Sequence, residues 1–150
     1  LGFDAKITFQ GEAAIDLENL CCRDDQSFYQ YNISLEDGIY IIDCKPLIKS
    51  VVIEVIDGID KELIARRFHN TIIKFTIELC EILRKEYNLS SVVLSGGVFQ
   101  NEILLINVYK ELIKRDFKVY IHEQIPANDE GISIGQMIIG NEILKKELVF

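Results

Sequence analysis

The chain has 150 residues, 49% of them hydrophobic and 27% charged, with a formal net charge of −8. A chain of this length buries roughly 70% of its unfolded surface, enough for one globular domain with a sizeable core. The acidic balance argues against a nucleic-acid footprint, no apolar run reaches membrane-spanning length, and no signal peptide is visible.

From the N-terminus, "GEAAIDLENLCC" sets Ala13, Ala14, Leu17, Leu20 and Cys21 at helical spacing among acidic residues. "SFYQYNISL" and "GIYIID" are rich in aromatic and β-branched residues and flank Asp37-Gly38, which predicts a β-hairpin. "CKPLIKSVVIEVIDG" is β-prone by composition, yet Leu47, Ile48, Val51, Val52, Val55 and Ile56 fall on one helical stripe. Pro46 suits its start and Gly58 its stop, so it is read as a helix. Asp60 is placed to cap a long helix with the stripe Ile64, Phe68, Ile72, Phe75, Leu79, Ile82 and Leu83. "SSVVLS" then predicts a short buried strand, "NEILLINVYKELIKRD" an amphipathic helix, "FKVYIH" a second strand and "ISIGQMIIGNEILKKE" a closing helix. The second half is thus β-α-β-α, and its short connections predict a right-handed crossover between parallel strands.

The cysteines, Cys21, Cys22, Cys44 and Cys80, form no CxxC pair and read as reduced cytosolic thiols, many of them core residues. His69 and His122 are too isolated to suggest a metal cluster and read as packing or surface residues. The first residue is Leu1 rather than methionine, which suggests a piece of a longer protein.

Ligands of open α/β sheets collect where strand carboxyl ends meet helix N-termini. Ser95-Gly96-Gly97 is one such end and "PANDEG" the next, so both loops are expected on one edge. Backbone N–H groups at Gly96 and Gly97 suit the phosphates or ribose of a nucleotide, with the helix dipole favouring the anion, and Asn101 suits its sugar or acyl group. Each piece has a plainer reading as well. The glycine pair is also a tight turn, Asp129 also a cap for the last helix, and Asp16 also a solvated charge on a helix face.

"LSGGVFQNEILL" followed by a strand and "IPANDEGISIGQ" resembles the C-terminal end of the hydrogenase maturation carbamoyltransferases, the HypF family. "ITFQGEAAIDLE" and "ARRFHNTII" are similar to further family blocks in the same order. The resemblance covers almost the whole chain. It implies an α/β fold, a C-terminal lobe of the actin/hexokinase-like (ribonuclease H-like) class with a mixed sheet flanked by helices, spanning residues 1–150 of the second half of the carbamoyltransferase domain. That domain is related to the tRNA threonylcarbamoyl transferases.

The resemblance further implies a cytoplasmic enzyme that makes carbamoyl adenylate from carbamoyl phosphate and ATP. The carbamoyl group then passes to the C-terminal cysteine of the partner protein HypE, where it becomes the cyanide ligand of nickel-iron hydrogenase. Gly96, Gly97 and Asn101 become adenylate contacts, Asp16 a ribose contact and Asp129 a ligand of a divalent metal otherwise held by histidines. The chain departs from the family pattern at Glu130, where a second glycine is usual, and at Glu12, where glutamine is usual. Neither histidine lies in the H-x-x-x-H pattern expected of the other metal ligands. These, with acylphosphatase, zinc-finger and YrdC-like domains, are expected earlier in a longer chain, and the isolated lobe is expected to be inactive. The rival readings are a sugar or acetate kinase lobe of the same superfamily and a non-catalytic protein-docking module.

Overall fold

The computed structural model describes residues 1, 7–21 and 24–147; Cys22 lies outside the described residues. Helix α1, Glu12–Asn19, starts from Gly11, whose φ of 88° is open to glycine at little cost. Strands β1 (Asn32–Glu36) and β2 (Ile39–Asp43) pair antiparallel, with Glu36 opposite Ile39. Asp37 (φ 50°) and Gly38 (φ 79°) supply the two left-handed positions of a tight hairpin turn. Helix α2, Lys45–Ile56, carries Pro46 in its first turn and gives way at Gly58, φ 71°. Its apolar stripe is only partly covered: Leu47 is buried, whereas Ile48, Val52, Val55 and Ile56 face outward.

Helix α3, Lys61–Tyr87, is capped as expected, the Asp60 carboxylate accepting from the Glu62 N–H at 3.1 Å. At 27 residues it spans about 40 Å and packs against α2 and α4. Strand β3 (Ser91–Leu94) leads through a 3-10 turn, Gly97–Gln100, into helix α4 (Glu102–Lys114). Strand β4 (Lys118–Ile121) and helix α5 (Gly131–Glu147) follow. β3 and β4 are parallel, with Val92 opposite Val119. The core lies where this pair meets α3 and α4: Ile77, Leu94, Val108, Leu112 and Phe117 form one buried cluster, flanked by Ile73, Cys80, Val92, Phe99, Leu105 and Val119.

A single mixed sheet is not what these strands build. They form two separate two-stranded sheets, one antiparallel and one parallel. Among the described residues nothing covers the opposite face of the parallel pair, where Val93 is 66% exposed. Parallel strands are ordinarily covered on both faces. Helix α5 is apolar on all sides and exposes Ile132, Met137, Ile138, Ile139, Ile143 and Leu144, a pattern proper to a helix with partners around it.

From Asp24 to Tyr31 the chain has no regular structure, so its backbone groups need other partners. The first turns of α3 supply them. Arg66 donates to the Cys21 carbonyl, and Asn70 donates to the carbonyls of Asp25 and Ser27 at 2.7 and 2.9 Å. The Tyr29 N–H donates to the Thr71 hydroxyl at 2.8 Å, which itself donates to the Arg67 carbonyl at 2.6 Å. Arg67 bridges the Asp25 carboxylate (3.1 Å) and the Glu54 carboxylate on α2 (2.6 Å). The Tyr29 hydroxyl donates to the same Glu54 at 2.5 Å, and burial with that carboxylate pushes the phenol well above its usual range.

Thr71 is fully buried, so replacing its hydroxyl by a methyl leaves the Tyr29 N–H unpaired. Thr71→Val is expected to lower stability by about 1–3 kcal/mol in urea denaturation. A loss below ~0.5 kcal/mol would mean that this hydrogen bond does not anchor the segment.

Candidate functional site

The two loops at the carboxyl ends of β3 and β4 are tied together directly. The Gly96 N–H donates to the Ala127 carbonyl at 2.9 Å, so the glycine pair and the "NDE" tripeptide open on the same edge. With the start of α1 they enclose a recess of about 450 Å³, lined by Gln10, Gly11, Gly97, Val98, Gln100 and Asn128 to Glu130. A more apolar recess of about 400 Å³ adjoins it, sharing Gly97 and Val98 and bounded by Ala14, Leu17, Phe68, Ile72 and Leu104. A larger groove, about 530 Å³, runs between α3 and α4, and neither loop contributes to it. Its carboxylates are already engaged: Glu81 and Glu111 pair with Arg115, and Glu78 accepts from the Tyr31 hydroxyl.

The two glycines do different things. Gly96 sits at φ 97° and ψ 159°, a region essentially closed to residues with a Cβ. It is required by the backbone alone. Gly97 has no positive φ, and a Cβ built on it would meet only the Gln100 Oε1, at 4.0 Å. The absence of a side chain there keeps open space in both recesses. At the other loop Gly131 is held by close approach, because a Cβ would come within 3.1 Å of the Ile125 Cγ2 and the Pro126 carbonyl oxygen.

Asn101 is the N-cap of α4. Its Oδ1 accepts from the Leu104 N–H at 2.9 Å and its Nδ2 lies 3.0 Å from Nε2 of His69. The remaining N–H groups of the first turn are taken by Glu18 of α1, whose carboxylate accepts from Glu102 at 2.6 Å and Ile103 at 3.3 Å. The expectation that the α4 dipole attracts an anion needs correcting, because a protein carboxylate already holds that end. The Gly96 N–H is likewise spent on Ala127, which leaves Gly97 and Val98 as the backbone facing the recess. Glu18 escaped the sequence reading because its partners lie 84 and 85 residues away. Asp16, half-buried on α1, lines neither recess.

Asp129 is exposed in the recess. Its side chain does not cap α5: the Asp129 backbone carbonyl accepts from Ile132, while the neighbouring Asn128 side chain accepts from the Glu130 N–H. The carboxylate is therefore available to a ligand. Divalent ions need several oxygen or nitrogen donors in fixed geometry. Among the described residues no group of three His, Cys, Asp or Glu side chains is placed to hold one, so these residues alone do not make a metal site. His122 is exposed and bonds the Ser95 hydroxyl at 2.8 Å, across the ends of β3 and β4.

His69 is 2% exposed, with Nδ1 2.8 Å from the Ala65 carbonyl and 3.1 Å from the Cys21 sulfur. A carbonyl only accepts, so Nδ1 carries the proton and has no lone pair with which to deprotonate the thiol. Cys21 instead donates to the Leu17 carbonyl. The pair is a packing contact, as the isolated histidine suggested. Burial is the main influence on His69 and holds its pKa below the usual histidine value.

Residues 1–136 match the family model described as "Carbamoyltransferase, Kae1-like Domain, second subdomain". The chain is 30% identical over 139 residues to the carbamoyltransferase HypF of Synechocystis sp., covering 92% of this chain and 17% of that protein. It is 26% identical over 138 residues to the probable carbamoyltransferase HypF of Methanocaldococcus jannaschii, again with 91% of this chain and 17% of the relative. A crystal structure of full-length HypF in the phosphate- and nucleotide-bound form superposes with a TM-score of 0.85 at 39% identity, over 94% of this chain and 18% of that one. The chain thus spans about a sixth of the length of the relatives it matches. With the family model over residues 1–136 and the relatives in agreement, this chain belongs to the HypF carbamoyltransferase family and matches the second subdomain of its Kae1-like domain.

Proposed function

We propose that this chain is the nucleotide-binding lobe of an actin/hexokinase-like carbamoyltransferase domain that makes carbamoyl adenylate from carbamoyl phosphate and ATP. In the longer protein the carbamoyl group passes to the C-terminal cysteine of HypE, whose thiolate is the nucleophile, so no nucleophile is assigned here. The observation that carries the reading is the open backbone of Gly97 and Val98, set between the start of α1 and the Asn128–Glu130 loop by the Gly96–Ala127 hydrogen bond. The phosphate- and nucleotide-bound state named for the similar full-length HypF structure supports it. Family membership removes the sugar- or acetate-kinase alternative, and the non-catalytic docking alternative is what the measurements below address.

In this reading the apolar recess takes the base or ribose and the polar one the phosphates. The unused N–H of the Asn101 amide donates to the sugar or acyl group, and Asp16 remains a ribose contact only if α1 turns toward the ligand. Asp129, and at most Glu130, contributes to a divalent metal whose other ligands come from elsewhere in a longer chain. When bound, that ion would polarise the carbamoyl or phosphoryl oxygens. The residues of this chain orient the nucleotide and hold it against the backbone, a proximity effect.

The two glycines give a test that separates fold from function. Gly97→Ala should fold normally, since the methyl enters open space, yet weaken ATP binding in calorimetry on the longer protein. Gly96→Ala should cost about 1–3 kcal/mol of stability, because its φ is unfavourable for alanine. Equal ATP affinity in folded Gly97→Ala and the parent would remove the close-approach argument.

The half-site predicts a second outcome. The isolated chain should unfold cooperatively but bind ATP more weakly than micromolar, roughly less favourably than −8 kcal/mol. In the longer protein Asp129→Ala should abolish the metal dependence of carbamoyl phosphate-dependent ATP cleavage without changing the melting temperature. Robust turnover by the isolated chain, or full metal-dependent activity of Asp129→Ala, would contradict the assignment.

A further inference from the structure

We infer that His69 is the positioning residue for the Asn101 amide, fixing which of its two faces caps α4 and which is offered to the ligand. The Ala65 carbonyl lies 2.8 Å from Nδ1 of His69. Because that oxygen only accepts, Nδ1 bears the proton and Nε2 presents a lone pair. The atom facing it, at 3.0 Å, is Nδ2 of Asn101. The other end of the same amide, Oδ1, accepts from the Leu104 N–H at 2.9 Å.

Turning the amide over would set an oxygen against the Nε2 lone pair and an NH₂ against the Leu104 N–H. Both contacts would become repulsive, so the orientation is determined twice. One N–H of the amide is then left over, and Asn101 and His69 line the apolar recess together with Gly97 and Val98. The inference rests on the nucleotide reading above for the identity of the ligand, but the His69–Asn101 geometry stands independently of it.

A proton on Nε2 would replace the acceptor by a donor facing an NH₂ group, forcing the amide to turn and the cap to break. The charged and titratable groups around the ring are Glu18 from α1, Cys21 just beyond it and Arg66 from α3; Gln10, Gln100 and Asn101 are neutral. Burial dominates among them and keeps the ring neutral at neutral pH. A histidine with its folded pKa lowered loses stability as pH falls from the free value, about 6.5, toward the folded one, because the unfolded chain takes the proton first. The amide should turn over only as pH nears the folded value.

The test uses ATP as the probe and three variants of the longer protein. His69→Leu keeps the apolar volume without an acceptor, His69→Gln restores an acceptor through its amide oxygen, and Asn101→Ser keeps a competent cap but removes the NH₂. His69→Leu should weaken ATP binding about three- to tenfold, the worth of one hydrogen bond. His69→Gln should stay within about twofold of the parent on the same grounds. His69→Leu in the Asn101→Ser background should add nothing further, since the two act through one contact. The ratio of parent to His69→Gln affinity should fall as the pH is lowered, which cancels the titration of ATP itself.

Nitrogen NMR of His69 and of the Asn101 side chain in the present chain supplies the independent arm. It should show the Nδ1–H tautomer, and an Asn101 amide resonance shifted in His69→Leu and restored in His69→Gln. An Nε2–H tautomer, or an Asn101 amide indifferent to His69→Leu, would overturn the proposal whatever ATP does. So would a pH-independent affinity ratio, or additive losses in the double variant, in a protein that binds ATP. If ATP does not bind while the tautomer and amide shifts are as expected, the positioning role is upheld and the nucleotide reading falls. Should His69→Leu fail to fold, the parent, His69→Gln and the pH profile decide alone.

Discussion

The hydrogen bonds from Arg66, Arg67, Asn70 and Thr71 of α3 reach Cys21 and the stretch from Asp25 to Tyr29, which has no secondary structure of its own. Without them that backbone would have to be buried unpaired or released to water, each at a cost comparable to a folding hydrogen bond. Through this polar face α3 also sets α2, by the Arg67–Glu54 ion pair, and reaches α4, by His69 and Asn101. Three parts of the molecule are therefore registered on one helix. The apolar cluster beneath β3 and β4 supplies cohesion, and the polar run supplies position.

Position matters because the candidate site is made from pieces far apart in sequence. Gly11 starts α1, Gly96 and Gly97 follow β3, and Asn128 to Glu130 precede α5. A loop–loop hydrogen bond, a carboxylate of α1 on the α4 N-terminus, and an N-cap held by a buried histidine each fix one of these pieces against another. The usual anion site at the α4 N-terminus is closed by Glu18. What remains for a ligand is short, glycine-opened backbone and the exposed carboxylates of Asp129 and Glu130. Such an arrangement suits a ligand held by shape and a few directed hydrogen bonds.

Much of this was legible in the sequence where the signal is local. Pro46, Asp60, Asp37-Gly38 and the helical stripes marked the hairpin and the helix boundaries, because caps, turns and periodicity depend on neighbours in the chain. The parallel pairing of β3 and β4 followed from a strand, helix and strand with short links. What was not legible depends on distant partners. "ARRFHNT" reads as a helix surface, and nothing within it shows that Arg67, Asn70 and Thr71 face an irregular segment some 40 residues earlier. Glu18 could not be distinguished from the other acidic residues of α1. Of the glycine pair, composition suggested both purposes of glycine, backbone freedom and close approach. Only the dihedral angles divide them between Gly96 and Gly97. The described strands form two sheets rather than one, because strand propensity says nothing about which edges meet.

The central claim, that the Gly97–Val98 backbone and the Asn128–Glu130 loop form one nucleotide site, is tested most directly by mapping ATP onto the isotopically labelled chain by NMR. Millimolar ATP allows for the weak affinity proposed above for the isolated chain. Amide shifts are expected at Gly97, Val98, Gln100, Asn128 and Asp129, with the Asn101 side chain moving in step. Shifts centred instead on Lys74, Asn107 and Arg115 of the groove between α3 and α4, or no localised shifts at all, would contradict it.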